Sequence, residues 1–88
     1  MADLVKEVRD LLHKHFIEAG EDIPFSEIGD EDVLESREHN FDSLDHVEAM
    51  MLIEDQYHID ISERDGEKLV SIKAIADYLA ARGVFARG

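Results

Sequence analysis

Apolar residues recur at intervals of three and four in three stretches of the chain, which is the spacing of one helix face. The first stretch predicts a helix from Asp3 to Ala19, with Gly20 placed where that helix would stop. The second stretch predicts a helix from Ser43 to about Tyr57. The core face of this second helix is assigned to Ile53, His46, Tyr57, Met50 and Val47.

Two further helical segments follow. Ser62 is placed to cap a single turn within 62–68, and Ser71 is placed to cap a last helix that ends at Gly83. The predicted core face of this last helix consists of Ile72, Ile75, Ala76 and Leu79. Four helices, one of them short, predict an all-α four-helix bundle formed by residues 1–88 as one domain. The tail, 83–88, is expected to be frayed.

The segment between the first two helices shows no such periodicity. It is rich in acidic residues over 20–42 and contains the only proline, Pro24. A loop of this length is unusual in a compact domain, so we expect a helical turn within 31–36. Phe41 is expected to anchor the loop in the core, and Asn40 is expected to adopt a left-handed turn.

Composition and charge limit the possible functions. The chain has 88 residues, of which 22 are acidic and 9 are Lys or Arg, and its formal net charge is −13. This charge repels nucleic acid and anionic membranes, so we expect protein partners with basic patches and no stable membrane association. The absence of cysteine excludes disulfides and any thiol of the chain's own. Because no apolar run approaches the length of a membrane span, we expect a cytoplasmic protein. We also expect it to be a monomer.

The segment Phe41-Asp42-Ser43-Leu44-Asp45-His46-Val47-Glu48 carries the candidate chemistry. Ser43 lies at the predicted start of the second helix, where its oxygen could accept a hydrogen bond from a free backbone N–H group. The same N–H groups would favour an anion attached to the hydroxyl. Nothing nearby resembles a general base, so we expect Ser43 to be modified and the chain not to be an enzyme.

A stripe beside the core face of the second helix mixes apolar and acidic residues. It consists of Leu44, Glu48, Met51 and Asp55, which follow one another at helical spacing. In one interpretation Leu44 and Met51 are the edge of the core. In the other, the apolar pair contacts a partner and the acids select a basic rim. Periodicity does not choose between these two interpretations.

The sequence predicts no metal site. The acidic segment 30–34 lacks the alternating ligands, central glycine and terminal glutamate of a calcium-binding EF-hand loop. His46 is expected to be a hydrogen-bonded residue at the core edge, since no His or Cys stands at metal-ligand spacing from it. The other four histidines, His13, His15, His39 and His58, are expected to be solvated or to cap helices.

The segment 42–79 resembles an acyl carrier protein. The resemblance is carried by Asp-Ser-Leu-Asp-x-Val-Glu at 42–48, Glu54-Asp55-Gln56-Tyr57, Ile59-Asp60-Ile61, Glu67-Lys68-Leu69, Ser71-Ile72 and Ala76-Asp77-Tyr78-Leu79. In that family a phosphopantetheinyl transferase moves 4′-phosphopantetheine from coenzyme A onto the serine, and the arm holds an acyl chain as a thioester. The resemblance assigns this role to Ser43. It also implies that acyl-transferring or chain-extending enzymes dock on Asp42, Leu44, Glu48, Met51 and Glu54.

One departure from the family pattern lies just before the serine. The usual Leu-Gly pair is replaced by Arg37-Glu38-His39-Asn40-Phe41, with about two extra residues in the loop. This favours a specialised carrier over the general carrier of fatty-acid synthesis. The family also implies that an acyl chain can fold back into the helical core, where the small Ala49 and the adaptable Met50 could reshape the cavity.

Two other functions stay open at this point. The serine motif does not identify the cargo, so the arm could carry an aminoacyl group or a sugar. Alternatively, the chain could be an acidic helical adaptor in which Ser43 is only a helix cap.

Overall fold

The structure is a computed structural model that describes residues 3–86. Its helices are α1 (Leu4–Glu18), α2 (Ser43–Tyr57), the four-residue α3 (Glu63–Gly66) and α4 (Ile72–Ala81). A 3-10 turn, Phe25–Glu27, lies in the long connection between α1 and α2. Within the described residues no strand forms beyond one isolated bridge between Ser36 and Phe41. The predicted all-α fold with one short helix and a long first loop is confirmed.

Short polar side chains define where the helices begin. Asp3 accepts a hydrogen bond from Val5 N at the start of α1. Ser62 accepts one from Asp65 N before α3, and Ser71 accepts one from Ala74 N before α4, as predicted. These bonds satisfy N–H groups that have no partner inside the helix. None of the helices in 3–86 is both long enough and apolar enough to cross a membrane.

In the core α1 packs against α4, and α2 contributes Ala49, Met50, Ile53 and Tyr57 to the same apolar cluster. All four residues predicted for the core face of α4 are buried. An aromatic cluster joins α1 to the long loop: the ring centroid of Phe16 lies 5.9 Å from that of Phe25 and 5.7 Å from that of Phe41. Phe41 is only 2% exposed, which confirms it as the anchor of the loop.

The helical turn expected within 31–36 is absent, and a 3-10 turn forms at Phe25–Glu27. The reason is the placement of apolar side chains. Phe25 and Ile28 are three residues apart, and one tight turn after Pro24 buries both. In 31–36 only Leu34 is buried, so a helical turn there would gain no second core contact.

Arg9 holds the 3-10 turn against α1. Its guanidinium donates hydrogen bonds to the backbone carbonyls of Phe25 and Ile28 and to the carboxylate of Asp30. Further along, Leu34 N donates to Val70 O at 2.8 Å, which ties the loop to the residues before α4. These bonds fix the loop against α1 at one end and against the residues before α4 at the other.

The C-terminal tail leaves α4 through Gly83, whose φ of 82° is a left-handed conformation that favours glycine. Val84 N donates to Leu79 O at 3.0 Å, and Val84 packs against the core, whereas Phe85 is exposed. Arg87 and Gly88 lie outside the described residues. Fraying of 83–88 stays a prediction.

Candidate functional site

The N-cap of α2 is Asp42 and not Ser43, so the predicted capping role of Ser43 is wrong. The Asp42 side chain accepts from Asp45 N at 2.9 Å, and the Asp45 side chain accepts from Asp42 N at 3.0 Å. This reciprocal arrangement is a capping box. The carboxylate of Asp42, one residue before Ser43, accepts from the first turn of α2. Asp42 therefore has the capping role that the sequence predicted for Ser43.

Ser43 is consequently the first residue of α2, with an exposed side chain. Its hydroxyl makes no side-chain hydrogen bond to any other residue in the part of the chain that the structure describes. The backbone N–H groups of Ser43 and Leu44 also have no intrahelical acceptor, since they belong to the first turn. The site thus combines an available hydroxyl with donors that suit an attached anion.

Two cavities meet at Ser43. One, the α2–α3 groove, has a volume of about 540 Å³. It is lined by Glu35, Ser43, His46, Val47, Met50, Met51, Glu54, Ile61, Ser62, Glu63, Gly66, Glu67 and Val70. The other, the hairpin cavity, has a volume of about 520 Å³ and is lined by Glu35, Ser36, Arg37, Asn40, Phe41, Asp42 and Ser43.

A histidine closes one side of the α2–α3 groove. His46 Nε2 lies 2.8 Å from the carbonyl oxygen of Gly66. Because a carbonyl only accepts, Nε2 carries the hydrogen and donates it. This bond joins α2 to α3 and confirms the expectation that His46 is a hydrogen-bonded residue at the core edge.

The exposed face of α2 carries three large apolar side chains. Leu44 is 76% exposed, Val47 55% and Met51 63%, and we refer to these three residues as the apolar strip. Their exposure rules out the interpretation that Leu44 and Met51 are the edge of the core. The assignment of Val47 to the core face is also wrong. Val47 comes six residues before the fully buried Ile53, so its side chain lies ~120° around the helix from that of Ile53.

The acidic residues predicted for docking all have internal partners. Asp42 caps α2, and Glu48 Oε2 lies 2.9 Å from Nε2 of His15 on α1. Glu54 Oε2 accepts from Ile61 N at 2.9 Å, so this half-buried side chain also holds the segment that follows α2. Glu48 lies beside the apolar strip and Glu54 lines the α2–α3 groove.

An acidic cluster at the start of α2 was missed in the sequence. It consists of Glu21, from the loop after α1, together with Asp42, Asp45 and Glu48. Partial desolvation raises the pKa of Glu21 above its ordinary value, and the nearby carboxylates, Asp45 first, raise it further. The contact joins residues more than twenty positions apart, and no spacing rule predicts such a contact.

No three His, Cys, Asp or Glu side chains among residues 3–86 are grouped so that they could hold a metal ion. The acidic cluster is therefore not arranged as a cation site. The chemistry available at this end of α2 is that of the Ser43 hydroxyl and the two cavities that meet there.

Comparison with curated proteins shows which proteins the chain resembles. The chain is 40% identical over 42 residues to a protein named acyl carrier protein from Bdellovibrio bacteriovorus. Over this stretch the chain is similar to an acyl carrier protein. A second acyl carrier protein, from Campylobacter concisus, is also 40% identical over 42 residues. In each case the match covers 48% of this chain and 54% of the acyl carrier protein, so the chain spans about half the length of these relatives. No protein-family model matches the chain.

Proposed function

We propose that this protein carries acyl chains as thioesters on 4′-phosphopantetheine attached to Ser43. It presents them to enzymes of fatty-acid metabolism or of a related lipid or polyketide pathway. The observation that carries the proposal is the position of Ser43, an exposed and unbonded hydroxyl at the first residue of α2. The relationship to proteins named acyl carrier protein supports the same role.

The residues around Ser43 fit the prosthetic group. The hydroxyl would bear the phosphodiester, and the unpaired N–H groups of Ser43 and Leu44 would lie close to its negative charge. When bound, the group supplies the thiol that forms the thioester, and this chain has no cysteine of its own. The protein itself supplies the surface that partner enzymes recognise and the groove that can shield the cargo.

The α2–α3 groove suits an apolar chain. Val47, Met50 and Ile61 contribute to its walls, and the flexible Met50 side chain can adapt to different occupants. Ala49, the neighbour of Met50 in the chain, is fully buried in the core. We therefore expect the groove to accept at least part of an acyl chain when one is attached.

Partner enzymes would dock on the apolar strip and the acids around it. The exposed Leu44, Val47 and Met51 supply the apolar contact, and Glu48 and Asp55 supply negative charge at its edge. Partners with basic patches would associate quickly because the chain carries a net charge of −13. The phosphopantetheinyl transferase is the first such partner.

The name of the relatives describes a carrier and not a catalyst, in agreement with the expectation that this chain is not an enzyme. The altered loop before Ser43 favours a specialised carrier over the general carrier of fatty-acid synthesis. We expect this carrier to act in the cytoplasm. In the adaptor hypothesis Ser43 is only a helix cap, and that explanation of the serine loses its support because Asp42 caps α2. A different cargo on the same arm would use the same site.

Intact-mass measurement tests the proposal. Incubation with coenzyme A and a broad-specificity phosphopantetheinyl transferase should add one phosphopantetheine to the wild-type chain and none to Ser43→Ala. Ser36→Ala is the matched control, because Ser36 lines the hairpin cavity with Ser43 and should leave the addition intact. An unmodified wild type, or an addition that persists in Ser43→Ala, would contradict the proposal.

A further inference from the structure

The α2–α3 groove is electrostatically unfavourable for a phosphodiester at Ser43. Four glutamates line the groove, namely Glu35, Glu54, Glu63 and Glu67, and no Lys or Arg within residues 3–86 does. A phosphate on Ser43 would add a further negative charge at the mouth of this groove. Like charges at short range repel, and a low-dielectric wall strengthens the repulsion. The charged end of the arm should therefore lie away from the groove, while its uncharged part can enter.

The hairpin cavity on the other side of Ser43 offers a cation. Arg37 lines this cavity together with Ser43, and of the Lys and Arg residues that the structure describes it alone lines either cavity. Its guanidinium makes no hydrogen bond or ion pair to any other described residue of the chain. Glu35 and Asp42 line the same cavity, but neither forms an ion pair with Arg37, so the guanidinium lies beside the modification site without a fixed internal partner.

The backbone around Arg37 is held in one conformation. Ser36 N donates to Phe41 O at 2.9 Å, and Phe41 N donates to Ser36 O at 3.2 Å, which closes the hairpin. Asn40 adopts a left-handed conformation with φ 57°, as predicted, and its side-chain amide donates to Asp22 O. Binding a ligand to this hairpin would cost little conformational entropy, because the folded chain already holds its backbone in one conformation.

We propose that Arg37 binds the phosphodiester that joins the arm to Ser43. This inference rests on the proposed function and adds a residue that the family motif does not contain, since Arg37 lies in the altered loop. A guanidinium presents a planar fork of N–H donors that matches two phosphate oxygens, and such charge-assisted bonds are among the stronger ones in proteins. Arg37 would hold the phosphate on the hairpin side and leave the rest of the arm free to reach the groove.

Phosphorus NMR of the loaded protein tests this assignment. In the folded wild type, the ³¹P resonance should be shifted and broadened relative to the same loaded protein unfolded in urea, because Arg37 restricts the phosphodiester. Arg37→Ala should move the resonance of the folded protein toward the unfolded position and narrow it, and Arg37→Lys should give an intermediate shift. Arg64→Ala is the matched control: it removes an exposed arginine on α3 that lines neither cavity, and should leave the resonance unchanged. Raising the ionic strength toward 1 M, where the Debye length is about 3 Å, should reduce the difference between wild type and Arg37→Ala.

The outcomes separate this inference from the proposed function. If the wild type and Arg37→Ala both load at Ser43 and their ³¹P resonances coincide, Arg37 does not hold the phosphate and the inference is wrong. If Arg37→Ala slows loading but leaves the ³¹P resonance of the loaded protein unchanged, the arginine contacts coenzyme A or the transferase, and the inference is again wrong. If the wild type does not load at all, the proposed function fails first, and intact mass shows this before any NMR measurement.

Discussion

Asp42 and Asp45 cap the first turn of α2 reciprocally, each carboxylate accepting from the backbone N–H of the other residue. We therefore expect Asp42→Ala to reduce the free energy of unfolding by about 1 kcal/mol, the usual cost of losing an N-cap side chain. Ser43→Ala should change it by less than ~0.5 kcal/mol, as for an ordinary surface substitution. Urea denaturation followed by circular dichroism measures both values.

Asp42→Asn is the control for this comparison, because an asparagine oxygen can still accept the hydrogen bond from Asp45 N. It should retain most of the stability that Asp42→Ala loses. A loss in Ser43→Ala equal to that in Asp42→Ala would show that the serine caps the helix after all.

The helices and the caps of α3 and α4 were predictable because they depend on local features. Ser62 directly precedes the charged turn of α3, Ser71 directly precedes the apolar periodic segment of α4, and Gly20 marks the end of α1. The conformation of Asn40 and the burial of Phe41 were also predictable, since they follow from turn chemistry and from a lone aromatic residue in a polar loop. In these cases the local preference and the packing agree.

The features that sequence reasoning missed depend on distant contacts or on ambiguous periodicity. Apolar side chains are distributed around much of α2, so the pattern did not show that Val47 faces outward with Leu44 and Met51. The cap of α2 was placed one residue late, because both Asp42 and Ser43 are good N-cap residues. The bonds of Arg9 to the loop join positions far apart in the chain, and no local pattern predicts them.

Arg9 is expected to be important for the order of the loop between α1 and α2. Arg9→Met keeps the aliphatic stem but leaves the carbonyls of Phe25 and Ile28 without their charged donor. Hydrogen bonds to charged groups contribute about 1.5–3 kcal/mol, so we expect a loss of this order in the free energy of unfolding. Amide hydrogen exchange should also become faster in the 3-10 turn.

Lys6→Met is the matched control, because Lys6 pairs with Asp10 on the exposed surface of the same helix. Such exposed pairs contribute about 0–1 kcal/mol. Equal stability losses in the two variants would mean that the Arg9 bonds do not hold the loop.

The apolar strip is expected to be a docking surface. Met51→Ala should lower kcat/KM for loading by the phosphopantetheinyl transferase by about fivefold or more, which corresponds to ~1 kcal/mol of contact energy. Glu48→Lys should also lower it and should weaken its dependence on salt, since a charge attracted by basic partners is reversed. Circular dichroism should show that both variants stay folded.

Ile17→Ala controls for the loss of an exposed apolar side chain. Ile17 is 60% exposed on α1, close to the 63% of Met51, and it does not belong to the apolar strip. Loading of this variant should match the wild type. If Met51→Ala and Glu48→Lys also load at the wild-type rate, the transferase does not dock on this face of α2.

Glu21 should make stability depend on pH. Desolvation and the carboxylates of Asp45, Glu48 and Asp42 raise the pKa of Glu21 in the folded chain above its ordinary value of 4.5. The folded state therefore binds this proton more tightly than the unfolded state does. The ionised carboxylate costs stability at pH above the raised pKa, and this cost disappears as the pH falls below 4.5. Glu21→Gln should accordingly be more stable than the wild type at pH 7.

The advantage of Glu21→Gln over the wild type should shrink as the pH falls and vanish once the carboxyl is protonated in both states. Urea denaturation between pH 4 and pH 7 measures this difference. Glu67→Gln is the matched control, because Glu67 lies at the C-cap of α3, outside the acidic cluster. Its gain in stability measures the effect of removing one negative charge from a chain whose net charge is −13. Because the repulsion at Glu21 comes from three close carboxylates, Glu21→Gln should gain more at pH 7 than Glu67→Gln does. Equal gains in the two variants, or a gain at Glu21 that does not change with pH, would mean that the cluster does not act on this carboxyl.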